Sequence, residues 1–135
     1  MTHRLFYISQ SSVDPCGPEP RAILQVGTQR NAGLGVTGLL CCSGDHFAQI
    51  LEGPPPALEA LMTSIRRDAR HAITLEWPGQ AATDARWFRN WSLAYLFDDR
   101  LETLLCRLLA RREAGLEEVT RELMRDVDLF QASHG

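Results

Sequence analysis

Three polar side chains stand where an alternating strand pattern turns them inward. In "RLFYIS" Tyr7 shares a face with Leu5 and Ser9, and in "HFAQILEG" Gln49 sits between Phe47 and Leu51. Trp91 opens a third apolar run, "WSLAYLF". A phenol donates or accepts, an amide does both at once and an indole only donates, so the three can form a hydrogen-bonded chain. A buried amide left unpaired costs about 1–3 kcal/mol, so Gln49 needs a partner: backbone, water, or a ligand with ring nitrogens and carbonyls.

Asn31 ends a helical segment just before "AGLG", as a C-terminal cap or as a second amide aimed at a heterocycle edge. "RRDARH", Arg66 to His71, gathers cations at a helix end, where they complement the helix dipole or hold the phosphates of a nucleotide. Cys16, Cys41, Cys42 and Cys106 include no C-x-x-C pair, and His71 has no second histidine nearby in sequence, so spacing offers no metal site. Cys41 and Cys42 are neighbours in a strand and point to opposite faces, which favours core packing over a mutual disulfide. No nucleophile and base can be placed together, and the expectation is a protein that is not an enzyme.

These residues need elements to position them. Arg4–Ser9 reads as a first strand, followed by the turn-rich "DPCGP". A helix from Pro20 carries Ile23, Val26 and Gly27 on one stripe and stops before Gly33 and Gly35. Val36–Ser43 and His46–Gly53 form a hairpin, and a second helix over Pro56–Asp68 sets Leu58, Leu61, Met62 and Ile65 on one face. "AITLEW" and "NWSLAYLF" are further strands. The order β-α-β-β-α-β-β predicts an α+β, ferredoxin-like sheet with two helices on one face. Beyond Phe97, Leu101, Leu104, Leu105, Leu108 and Leu109, a break at Gly115, and then Val119, Leu123 and Val127 predict two C-terminal helices. Because "LLCC" is apolar on both sides, these helices are expected to cover the other face.

Bulk properties narrow the class. The chain of 135 residues suits one core, and a net charge of −3 argues against nucleic acid or an anionic membrane as partner. All 14 basic residues are arginine, which excludes a Schiff-base lysine and a phosphate-loop lysine together. No apolar stretch nears the roughly 20 residues of a membrane span, and the expected location is cytoplasmic.

Taken in order, "RLFYIS", "QRNAGLGVTGLL", "HFAQILEG", "RRDARH" and "WFRNWSL" resemble the BLUF domain, a blue-light sensor that uses flavin. The likeness runs from about Arg4 to Phe97, so residues 1–97 are expected to be the flavin-binding domain and 98–135 a helical extension packed on the sheet. The resemblance implies FAD, with FMN and riboflavin also accepted by the family, held between the two helices with its ring edge towards the sheet. It implies that Tyr7 gives an electron and a proton to the excited flavin, that Gln49 bridges them and rotates or changes tautomer, and that Trp91 completes the photochemical group. Asn31 and Gln49 would meet the ring, with Ile23, Ile65, Arg30, Asp68, Arg70 and His71 as further cofactor contacts. The output would pass to a downstream signalling protein or a second copy of the chain. One position departs from the family: Trp91-Ser92 is followed by Leu93 where methionine is usual, and leucine lacks a sulfur to accept from the glutamine amide. The alternative it raises is a light-insensitive flavin-binding or oligomerisation domain of the same fold.

Overall fold

The computed structural model describes residues 2–12, 27, 29–69, 71–82, 84–88 and 94–132. β1 (His3–Ser11), helical residues 29–34 (α1), β2 (Thr37–Cys42), β3 (His46–Gly53), α2 (Pro55–Arg66), β4 (His71–Ala81), β5 (Ala94–Phe97), α3 (Leu101–Leu109) and α4 (Leu116–Ala132) follow one another along the chain. The strands form one sheet in the order β4-β1-β3-β2-β5. Its first four strands are antiparallel, in the ferredoxin-like order, and β5 joins the β2 edge in parallel.

Sequence chemistry accounts for the placement. β1 and β3, rich in branched and aromatic residues, are buried almost throughout and occupy interior positions. β4 carries Pro78 and is mostly exposed, as befits an edge strand that can forgo a ladder donor. It runs longer than the expected "AITLEW" because it follows β1 along its length, absorbing two register shifts. Gly38 in β2 is required by close approach: a Cβ there would lie 2.3 Å from the Ile50 carbonyl oxygen.

α1 ends in a Schellman motif. Val36 N–H donates to the Asn31 carbonyl at 2.9 Å, Gly35 N–H to the Ala32 carbonyl at 3.3 Å, and Gly35 adopts φ 70°. The capping role open to Asn31 therefore belongs to Gly35, and the Asn31 side chain is buried in the last turn. α2 begins at Pro55 and stops at Arg66, two residues short of the expected end, with Leu58, Leu61, Met62 and Ile65 buried.

The core is two-sided. On one face Leu5, Tyr7, Val36 and Leu51 pack under α2. On the other, Phe6, Ile8, Cys41 and Ile50 meet Leu101, Leu104, Leu105 and Leu108 of α3 and Val119, Leu123 and Val127 of α4, so the tail helices do cover the second face. Each such side chain contributes about 1.5–3 kcal/mol on burial, which makes removal of the tail a large loss. Trp77 Nε1 donates to the Ala114 carbonyl at 2.9 Å, tying β4 to the link between α3 and α4. Among the described residues no helix is long and apolar enough to cross a membrane.

Candidate functional site

The site grows from one register pair. Tyr7 of β1 lies opposite Gln49 of β3, and opposed residues on antiparallel strands share a face. Phenol and amide meet there, the Tyr7 hydroxyl donating to Gln49 Oε1. Both are buried. With Oε1 engaged, the Gln49 NH2 still has two protons to offer. Burial pushes the Tyr7 phenol well above its ordinary 10.0; the Arg30 charge opposes this, and Asp68 and Glu76 reinforce it. Tyr7 is thus a protonated donor at neutral pH.

His71, the first residue of β4, closes the adjoining side. Its Nε2 lies 3.0 Å from the Ile65 carbonyl, which can only accept, so Nε2 carries the hydrogen in the neutral ring. Nδ1 then accepts from Ser9 Oγ at 2.7 Å. The ring is 6.0 Å from that of Tyr7 and 6.3 Å, edge-on, from Phe47. Both nitrogens are used within the protein, leaving the ring face rather than a ring nitrogen for a ligand. Ser9 is the residue sequence reasoning passed over; it was on Tyr7's face by the same period-two count.

The remaining expected residues separate by position. Asn31 is buried in the last turn of α1, and Ile65 is buried on the inner face of α2. Arg30 is exposed, near enough to Tyr7 to act on its phenol, and Asp68 is half-buried just beyond α2. Arg66 does not contribute a free cation at the helix end: it pairs with Glu76 through Nε at 3.1 Å and Nη2 at 2.8 Å. Ile23, Arg70, Trp91 and Leu93 lie outside the described residues.

This donor set fits a flat heterocycle with ring nitrogens and carbonyls. Among the described residues the Gln49 NH2 is available to an acceptor, and Ile65 and its neighbours provide an apolar wall. The residues present are therefore suited to flavin.

A second buried pair lies on the same two strands. Arg4 faces Glu52 in register, with Nε and Nη2 at 3.0 and 2.7 Å from Oε2. Glu52 also accepts from the backbone N–H groups of Trp87 and Phe88 at 2.9–3.0 Å, and the Arg4 guanidinium lies 3.6 Å from the Trp87 ring centroid. Arg4 reaches Asp84 at 3.1 Å, and the hydrogen bond from Trp87 Nε1, the largest influence, with those of Arg4 outweighs the upward push of burial and leaves that carboxyl below its ordinary value.

Comparison with known proteins agrees with this geometry. The chain is 32% identical over 99 residues to the photoactivated adenylate cyclase subunit beta of Euglena longa, covering 73% of this chain and 12% of that protein. It is 32% identical over 76 residues to the blue light- and temperature-regulated antirepressor BluF of Escherichia coli (strain K12), covering 56% of this chain and 19% of the relative. The chain thus spans less than a fifth of the length of these curated relatives. The structure of BlrB, a BLUF protein in its dark state, superposes with a TM-score of 0.72 and 32% identity over 93% of this chain and 94% of that one. Residues 2–94 match the family described as sensors of blue-light using FAD, and the chain belongs to that family, BLUF.

Proposed function

We propose that the protein is a blue-light photoreceptor in which Tyr7 is the electron and proton donor, Gln49 the switch, and FAD the cofactor among the flavins its family binds. The observation that carries this reading is the Tyr7 hydroxyl donating to Gln49 Oε1 on the sheet face that packs against Ile65 of α2. Asn31 and Gln49 would hold the ring by its polar edge, Ile65 and Ile23 would flank it, and Arg30, Asp68, Arg70 and His71 would lie along the rest of the cofactor.

When bound, flavin supplies blue absorption and an excited state that accepts an electron. The protein's part follows from its own atoms. A phenol that loses an electron becomes strongly acidic, and Tyr7 then releases its Oη proton along the hydrogen bond to Gln49 Oε1. Gln49 would pass an Nε2 proton to the bound flavin in exchange, which turns the amide into its imidic tautomer, or would rotate and present the other end, and the electron and a proton would return to Tyr7 from the flavin. Once Tyr7 has regained its electron and proton, the altered Gln49 remains, with donor and acceptor positions changed. No net charge is created, so the change is read as a rearranged hydrogen bond on β3. The tail helices packed on the opposite face of β1 and β3 are well placed to pass it to a protein partner in the cytoplasm. That output is supported by the relatives, named for a cyclase and an antirepressor. In this reading residues 1–97 are the sensor and 98–135 the output extension.

A light-minus-dark absorption spectrum of the purified protein tests the proposal. The expected result is a yellow protein whose flavin bands shift to the red under blue light and return in darkness. Leu93, where the family usually has methionine, favours the second reading of a light-insensitive flavin binder, and a flavin-loaded protein with a flat difference spectrum would establish that one instead.

A further inference from the structure

Away from the flavin face, the turn between β2 and β3 meets α3 through an imidazole, a carboxylate and a thiol. His46 Nδ1 lies 2.9 and 3.0 Å from the two Glu102 oxygens, and Cys106 Sγ lies 3.2 Å from Glu102 Oε2. The potential ligand atoms are all within 4.8 Å of one another. Glu102 and Cys106 are one turn apart on the outer side of α3, whose inner side buries Leu101, Leu104, Leu105 and Leu108. Ser43 Oγ donates to Glu102 Oε1 at 2.6 Å and accepts from the His46 N–H at 3.2 Å, so one hydroxyl orients two of the three residues.

We propose that His46, Glu102 and Cys106 form a binding site for a divalent metal of the zinc class, with water as the fourth ligand. Tetrahedral zinc bonds of about 2.0–2.3 Å set ligand atoms roughly 3.3–3.8 Å apart, so the two contacts to Glu102 need slight widening and the His46–Cys106 pair, within 4.8 Å, needs at most about 1 Å of closing. One nitrogen, one oxygen and one sulfur select zinc, cobalt or a similar ion over magnesium or calcium, which take oxygen. Three protein ligands leave an open position, and Ser43 is the outer-shell partner such sites use to fix a carboxylate. On binding, the Cys106 S–H bond is replaced by a metal–sulfur bond and that proton leaves to solvent, while His46 gives up the Nδ1 hydrogen it donates to Glu102 and carries its hydrogen on Nε2 instead; nothing is oxidised. Sequence spacing could not reveal this site, because His46 and Glu102 stand 56 residues apart. The bound ion would clamp the start of the strand that carries Gln49 to the first tail helix. The inference does not depend on the photochemical reading.

Cobalt(II) titration of the full-length protein, reduced and kept dark, tests it. Tetrahedral thiolate coordination gives intense visible bands at longer wavelength than flavin absorbs, and zinc should displace them at one equivalent. Cys106→Ser and His46→Gln should each weaken binding by at least about tenfold. Cys106 is exposed, so Cys106→Ser is expected to keep the fold and remains decisive if His46→Gln does not. Absence of a saturable tetrahedral spectrum, or equal affinity in Cys106→Ser, would overturn the proposal.

Discussion

Tyr7–Gln49 and Arg4–Glu52 are two buried cross-strand pairs on the same two strands, three residues apart along each. An odd offset puts them on opposite faces of the sheet, and about 10 Å separates them along the strands. The first pair is neutral. Its amide can exchange donor for acceptor without moving net charge, so alternative arrangements stay close in energy. The second is ionic and tied at every available point: Glu52 holds Arg4 and two backbone N–H groups, and its side chain is fully buried. Any other arrangement would strand a charge away from water. In the proposed reading one pair changes and its neighbour stays fixed, which would give the switch a rigid reference on the same strands. The fixed pair also faces the tail: Asp84, which Arg4 holds, lies 3.5 Å from Arg121 of α4.

Breaking the first pair has the largest effect on signal. Tyr7→Phe keeps the ring and removes the Oη proton, so the mutant should retain flavin and lose the whole light-induced red shift in the difference spectrum. A normal photocycle in Tyr7→Phe would remove Tyr7 from the mechanism. Breaking the second pair should fall on stability instead. Glu52→Ala leaves two N–H groups unpaired and buried Arg4 with only the part-exposed Asp84 as its carboxylate, and should lower unfolding free energy by about 3 kcal/mol in urea titration. Whatever folded Glu52→Ala is obtained should still shift red under light. Loss of the shift with the fold intact would show that the two pairs do not divide switching from support.

The unequal legibility of these pairs has a physical cause. Tyr7 and Gln49 stood out because a polar residue on an apolar, period-two face contradicts the pattern around it. Glu52 fell on the other parity, beside a terminal glycine, where a glutamate reads as a solvent-facing strand end; its partners lie 48 residues before it and 35 and 36 after it in the chain. The order of elements along the chain and both tail helices were legible, since hydrophobic period and turn residues are local, whereas the parallel placing of β5 beside β2 was not. Boundaries were only partly legible: β4 lengthened to follow β1, and α2 stopped at Arg66. The cationic group in "RRDARH" looked free because Glu76, which binds Arg66, arrives only through the fold. For the same reason Ser9 and His71, 62 residues apart, gave no joint signal.

The smallest effect separates the pairs by their response to alkali. Burial holds the Tyr7 phenol protonated well above its ordinary 10.0, whereas in the unfolded chain it ionises near that value. Below pH 10 both states keep the proton and the contribution to stability is complete. As pH rises past 10 only the unfolded chain releases it, so unfolding becomes easier by about 1.4 kcal/mol per pH unit until the folded phenol ionises too. Cys41, pushed up to about 12 by burial and then by its neighbour Cys42, adds its own alkaline loss, but equally in wild type and Tyr7→Phe. The difference between the two proteins therefore isolates the phenol. Urea titrations between about pH 9 and about pH 11 should show a steeper decline in wild type than in Tyr7→Phe, with the slopes parting near pH 10. Parallel declines would mean that the Tyr7 proton is held no more firmly in the fold than outside it. The hydrogen bond to Gln49 would then have to be re-examined as the starting point of the switch.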